Sequence, residues 1–216
     1  MGTPAQKKAP RRTQEDRSAE SSAAMLQAAV ELFAEQGSRV SLMEIGRRSG
    51  FSHGLVLARF GSKAELIRTV TKAIQKDFAR TVAASAENKK GLAALTATID
   101  AFFRQHESRR IMGRAFVVLL GEAVGPNTEI REVFVAADQA FRDFVARSLN
   151  DAKTLREIDD DVPSDAVAVV IVGTLRGIAL QLAVGAGGLD MAAVRAQTHA
   201  MVRALLTAAP PTGARR

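Results

Sequence analysis

The stretch Ser41–Lys63, SLMEIGRRSGFSHGLVLARFGSK, constrains this chain more than any other. Ser41 stands three residues before Glu44, the spacing of a capping box, in which hydroxyl and carboxylate each satisfy an amide left orphan at a helix start. Leu42 and Ile45 give that helix an apolar side. Gly50 ends it, since glycine enters the left-handed backbone region without steric cost. Ser52 caps a second short helix, His53–Phe60, with Leu55, Val56 and Phe60 directed inward. Two short helices joined by a tight, glycine-bearing corner make a helix-turn-helix. In that layout the second helix enters the DNA major groove and the first crosses above it.

The remaining chain reads as helix throughout, with no strand alternation and no internal repeat. Residues 1–18 are polar, carry Pro4 and Pro10, and lack apolar periodicity, which predicts a disordered basic tail. Its Lys7, Lys8, Arg11 and Arg12 can lie along DNA or stay solvated. Met25, Ala28, Ala29, Leu32 and Phe33 keep the 3.6-residue period of a first helix over 19–36, closed by Gly37. Ser62 and Glu65 form another capping-box pair. They open a helix over 62–84 that connects a helix-turn-helix domain, 19–64, to a body, 65–209.

In the body the apolar stripes predict helices over Leu92–Glu107 and Ile111–Val124, and a third capped by Asn127 that runs past Leu149. After a loop over Lys153–Pro163, Ser164 caps a helix to 184 that is apolar almost all round. Asp190 caps the last one, and residues 210–216 fray. The fold class is therefore all-α, a three-helix N-terminal domain followed by a helical bundle.

Charge agrees with the motif. Of the net +7, residues 1–80 hold 14 Lys/Arg against 8 Asp/Glu, and the remainder hold 16 against 15. A positive field confined to the segment with the helix-turn-helix favours a polyanion such as double-stranded DNA. The chain has no cysteine, so no disulfide or thiolate zinc site forms, and nothing in it asks for a cofactor or a metal. With no Cys or Tyr and three histidines, His53, His106 and His199, no nucleophile meets a base at a recognisable spacing, and an enzyme is not expected. The most apolar run, Ala166–Leu175, is short of the roughly 20 residues a bilayer span needs. A cytoplasmic protein without a membrane partner is expected.

The segment AAVELFAEQGSRVSLMEIGRRSGFSHGLVLARFGSKAELI resembles the N-terminal domain of TetR-type (TetR/AcrR) transcriptional regulators. The resemblance rests on Ala28, Leu32, Phe33, Gly37, Ser41, Ile45, Gly50, Ser52, Gly54, Phe60, Lys63 and Leu66, within residues 20–75. It implies a DNA-binding head, a helical body that dimerises, and an effector pocket in that body.

Major-groove recognition falls to the start of the second motif helix. His53 can donate to a base edge or a phosphate, Gly54 allows close backbone approach, and Arg59 can grip a phosphate or a guanine. Ser41 and Ser52 sit at helix starts, where amides and dipole favour a phosphate. Lys63 matches the family's phosphate-contacting lysine. Arg47 and Arg48 can face DNA or solvent. The chain departs from the family at Leu57, where an aromatic is usual, and at Arg59, where a histidine is frequent. Leu57 can touch a thymine methyl but cannot donate to a phosphate.

For the body, the last two helices carry more apolar surface than one small domain covers. Val170, Thr174, Ile178, Val194, Thr198, Met201, Val202 and Leu205 are candidate contacts of a two-fold homodimer, the alternative being internal core. Phe102, Phe103, Phe116, Phe134, Phe141 and Phe144, with His106, Arg142 and Arg176 among them, are candidates for an effector pocket. Arg114, Glu122, Gln139 and Gln181 are further polar groups beside these stripes. Without Tyr or Trp a hydrogen-bonding aromatic cage is unavailable, which favours a small lipophilic, acyl-like effector. The expectation is a dimeric repressor released from a palindromic operator by that ligand. The alternative is a helix-turn-helix regulator whose body binds a protein partner or no effector.

Overall fold

Thr13 opens the first helix, α1 (Gln14–Gln36): its hydroxyl accepts the Asp16 amide at 3.1 Å, and the Asp16 carboxylate accepts the Thr13 amide at 3.0 Å. The helix therefore begins inside the segment expected to be disordered, because this capping box satisfies the amides at its start ahead of the first apolar residue of the stripe. The structure, a computed structural model, describes residues 13–125, 130–185 and 188–207. The basic cluster at residues 7–12, the Asn127 cap and the 210–216 tail lie outside the described residues.

A 3-10 turn over Gly37–Arg39 leads to α2 (Leu42–Ser49) and α3 (His53–Phe60). Then follow α4 (Lys63–Ala86), α5 (Gly91–Ser108), α6 (Arg110–Val124), α7 (Arg131–Thr154), α8 (Ser164–Val184) and α9 (Met191–Thr207). No strand occurs among the described residues. Ser62 caps α4 by accepting the Glu65 amide at 3.1 Å, and Asp190 caps α9 by accepting the Ala192 and Ala193 amides at 3.0 and 3.1 Å. Ser164 does not cap α8: Pro163 holds that position, and the Ser164 hydroxyl donates to Asn150 on α7 at 2.7 Å. A tertiary partner thus took the hydroxyl that local geometry would have used.

Two buried clusters organise the bundle. One joins Met25, Leu32 and Phe33 of α1 to Val40, Ile45, Val56 and Leu66, and takes in Ala115, Leu119 and Ala123 of α6 with Ile130 and Phe134. α6 is thereby packed against α1, and the head's core continues into the body. The other joins Ile99, Phe102 and Phe103 of α5 to Val145 and Leu149 of α7, Ile171 and Leu175 of α8, and Val202 and Leu206 of α9. α4 packs beside α5, α6 and α7 and forms one wall of the body.

α8 contains the run Ala166–Leu175 that was expected to be too short for a bilayer span, and the helix itself is longer than that run. At 21 residues it is long and apolar enough, by length and composition alone, to cross a membrane. Val167, Ile171 and Leu175 pack into the body core and Arg176 pairs with Asp138 at 2.6 Å, while the other side of the helix is exposed.

Candidate DNA-reading head and effector cavity

The corner between α2 and α3 is built by two glycines. Gly50 lies in the left-handed region, φ 79°, and the Phe51 amide donates back to the Gly46 carbonyl at 2.8 Å. A Cβ on Gly46 would stand 2.7 Å from the Phe51 carbonyl oxygen, so only glycine allows the two helices to close this tightly. Gly46 carried no recognisable sequence signal, since a helix-interior glycine reads as a weakness until its neighbour is known.

α2 is held by the Ser41–Glu44 box. Ser41 donates its amide and hydroxyl to the Glu44 carboxylate at 2.8 and 2.7 Å, and its oxygen accepts the Glu44 amide at 3.2 Å. The Ser41 amide, then its hydroxyl, hold the Glu44 carboxyl below its ordinary range, and the charges of Arg47 and Lys63 add to this. The Ser41 hydroxyl is therefore spent inside the box. Ser52 caps α3 by accepting the Leu55 amide at 3.2 Å.

On α3, Val56 is fully buried and Phe60 half-buried; His53, Gly54, Leu57, Ala58 and Arg59 are exposed. Leu55, expected inside, is 38% exposed because the helix turns only the Val56 and Phe60 side inward. Arg59 donates to the Ser18 hydroxyl on α1. Arg48 points back to α1 and pairs with Glu35 at 3.2 Å and Glu31 at 3.4 Å, so the structure removes it from the candidates for DNA. Arg47 is exposed and Lys63 half-buried, and neither has a carboxylate partner among the described residues.

In the body, a cavity of about 440 Å³ lies between α4, α5, α6, α7 and α8. Of the expected lining, Phe102, His106, Phe116, Phe141, Phe144 and Arg176 reach it. Three expectations are corrected. Phe103 is fully buried in the body core, edge-on to Phe102 at 5.3 Å. Phe134 lies behind Phe116, 5.3 Å away, in the head-side core. Arg142 pairs with Asp138 and donates to Gln139 at 2.8 Å, outside the lining.

The α4 wall, Ile74, Gln75, Phe78, Ala79 and Val82, lies beyond the expected lining, because the apolar stripe of this connecting helix carries no mark that tells packing from cavity. Phe78 meets Phe141 edge-on at 5.1 Å. His106 is half-buried and its Nδ1 lies 2.9 Å from the Phe102 carbonyl. A carbonyl only accepts, so Nδ1 carries the proton. Burial pushes the ring's pKa below its ordinary value, and the Phe102 bond only partly opposes this. Burial likewise lowers the Arg176 pKa against the pull of Asp138. Asp77 accepts from Arg109 at 2.7 Å, Arg80 at 3.0 Å and Gln105 at 3.3 Å. Gln105 Oε1 and Gln75 Nε2 are buried at the cavity without a partner.

The expected dimer residues divide. Val170 and Met201 are exposed; Thr174, Ile178, Val194 and Leu205 are half-buried, the last three against the body core. Thr198 and Val202 are buried within the protomer and are withdrawn as contacts; the α9 face holding them turns inward toward α5. The exposed apolar surface instead includes Val169, Val170, Leu180 and Val184 on α8 and Met201 on α9. Gly173 and Gly177 lie along the same stripe of α8, with open space in front of them.

Two family models match this chain. Bacterial regulatory proteins of the tetR family match residues 25–70, and the C-terminal region of BetI-type transcriptional repressors matches residues 91–207, more than half the chain. The chain belongs to the TetR family. It is a DNA-binding transcriptional regulator and not an enzyme. An HTH-type transcriptional repressor of Mycobacterium tuberculosis is 48% identical over 52 residues, 24% of this chain and 28% of that protein. The alignment thus spans just over a quarter of that curated relative.

The fold is shared with a TetR-family transcriptional regulator from Rhodococcus sp., TM-score 0.74 at 16% identity over 88% of this chain and 100% of that one. It is also shared with SmeT in complex with triclosan, TM-score 0.72 at 19% identity over 92% and 98%. In this TetR-family chain Leu57 and Arg59, the two positions at which a departure from the family pattern was expected, both lie on the exposed side of α3.

Proposed function

We propose that this chain is a homodimeric, sequence-specific repressor, acting in the cytoplasm, that leaves a pseudo-palindromic operator when a small lipophilic ligand enters the body. The observation that carries it is the apolar cavity of about 440 Å³, whose α6 wall also packs against α1 of the head. A ligand pressing on Met112, Gly113 and Phe116 of α6 would act on the element that seats the head, shifting the population of DNA-competent dimers. The triclosan-bound neighbour supports a small lipophilic effector, and the repressor among the relatives supports the sign of control. A body serving a protein partner or no effector has less support, since a closed, packed interior would suit it better.

The exposed stripe of α8 and Met201 would pair two copies. Within each head, Ser52, His53, Gly54, Leu57, Arg47 and Lys63 would meet DNA, while Ser41, whose amide and hydroxyl are both bound to Glu44, would set the start of α2 rather than donate to a phosphate. Two-fold pairing sets the recognition helices about one DNA turn apart, or a multiple of it. Selection from a random double-stranded pool at near-physiological salt tests this. An enriched inverted repeat is expected; no enrichment by a folded dimer stripped of ligand by refolding would sink the proposal.

A further inference from the structure

We infer that the cavity takes an apolar anion bearing a hydrogen-bond donor along its chain, such as an alkyl or aryl acid with a hydroxyl or amide N–H. This rests on the effector role proposed above and names the class of ligand.

The charge around the cavity is one-sided. Lys72 and Lys76, one helical turn apart on α4, and Arg147 on α7 line it without a carboxylate partner among the described residues. No Asp or Glu lines it. The two acids beside it are each shared by two guanidiniums, Asp77 by Arg80 and Arg109, and Asp138 by Arg142 and Arg176. One cation at each pair is left uncompensated. An ammonium ligand would meet this field without a carboxylate to receive it, whereas an anion relieves it.

The polar interior asks for a donor at two atoms, and for an acceptor at Gln75 Nε2, which the oxygen of a ligand hydroxyl or carboxylate supplies. His106 gives its Nδ1 proton to the Phe102 carbonyl, so Nε2 is an acceptor and has no protein partner among the described residues. Its edge lies against Gly113 of α6, where a Cβ would come within 3.1 Å of Cδ2 and 3.4 Å of Nε2. Gln105 Oε1, buried nearby, is a second unfilled acceptor. A buried acceptor without a donor costs free energy, and a ligand hydroxyl recovers it.

Calorimetric titration of the full chain, stripped by refolding, with decanoate, decanol, decyltrimethylammonium and β-hydroxydecanoate separates the parts. Decanoate should bind about tenfold or more tighter than decanol, with the ammonium weakest. The hydroxylated acid should gain about threefold to tenfold over decanoate. His106→Phe should abolish that gain, so that β-hydroxydecanoate and decanoate bind alike. Lys72→Gln with Arg147→Gln should narrow the gap between acid and alcohol. Equal binding of acid and alcohol, or preference for the ammonium, overturns the charge inference. A hydroxyl gain that survives His106→Phe overturns the donor inference. If none of the four binds, the effector role itself falls.

A second inference rests on α3 alone. Val56 and Phe60 turn inward, so at about 3.6 residues per turn Gly54 and Ala58 stand outermost, flanked by Leu55 and Leu57. Arg59 is drawn aside to Ser18. The outermost face of the recognition helix is thus wholly apolar, which suits the C5 methyl of thymine and offers no fork for guanine. The geometry points to Leu57 and Ala58 as thymine-reading residues. In the selected operator, deoxyuridine in place of individual half-site thymines should weaken binding about threefold to fivefold at one or two positions. Leu57→Ala should erase that discrimination. Uracil tolerated at every position, or a Leu57→Ala loss equal on both operators, would overturn the assignment.

Discussion

Glu122 on α6 accepts the backbone amide of Ser38, in the turn that follows α1, at 2.8 Å. Its other carboxylate oxygen is buried without a partner. The bond ties the helix that walls the cavity to the turn just ahead of the Ser41 cap, so it joins the proposed effector site to the head. Glu122→Ala leaves the Ser38 amide unanswered and should cost about 1–3 kcal/mol in urea unfolding. Ligand affinity should hold, while the ligand-induced change in operator affinity shrinks. If the ratio of operator Kd with and without ligand is unchanged, the bond has no part in coupling.

His106 gives a pH dependence whose sign follows from its neutral, buried ring. Its folded pKa is depressed below the ordinary 6.5, so the folded state binds fewer protons than the unfolded state. The stability it contributes is complete above 6.5 and is lost as pH falls from there through the folded pKa. Lys72, Lys76, Arg109, Arg147 and Arg176 line the same cavity. Between about pH 7.5 and about pH 5.5 the urea midpoint of the native chain should fall further than that of His106→Asn. Both proteins keep His53 and His199, so the difference isolates this ring. Parallel curves would show that the ring is solvated in the folded state.

Arg47 and Arg48 are adjacent in sequence and differ in their partners. Arg48 is committed to Glu31 and Glu35. As a half-exposed network it is worth up to about 1 kcal/mol to the head, and Arg48→Ala should lower stability slightly without changing the salt slope of operator binding. Arg47→Ala should reduce that slope by about one counterion. A reversed pattern, with the slope falling for Arg48→Ala alone, would place Arg48 on the phosphate.

The contrast between these arginines marks what was legible in the chain. The helix-turn-helix could be read because its signals are local: Ser41 with Glu44, Gly50 in the corner, Ser52 at the next cap. Arg48 could not, because its partners lie 13 and 17 residues back on α1 and only packing brings them near. The cavity was half legible. Phe102, His106 and Arg176 stood out as polar or aromatic interruptions of body helices, whereas Gln75 and Phe78 belonged to a helix whose stripe already had an explanation. Phe103 and Phe102 are neighbours with the same chemistry, and only the rotation of α5 decides which one lines the cavity. On α8 apolarity all round erased the phase that tells inside from outside, and on α9 the choice between Met201 and Val202 turned on one residue of helical phase.

That phase yields the sharpest test of the proposed dimer. Leu180 is 52% exposed on the α8 stripe that includes Val169, Gly173 and Val184, whereas Val202 is 4% exposed inside the protomer. Leu180→Glu should leave helicity and the unfolding midpoint of the protomer nearly unchanged, because a charge at an exposed site meets water. If a second copy covers this stripe, the same carboxylate is buried on pairing, and the protein should sediment as a monomer with operator affinity lost. Val202→Glu buries a charge in the protomer core and should unfold the body at any concentration. A Leu180→Glu protein that still sediments as a dimer and binds the operator would move the interface off this face of α8.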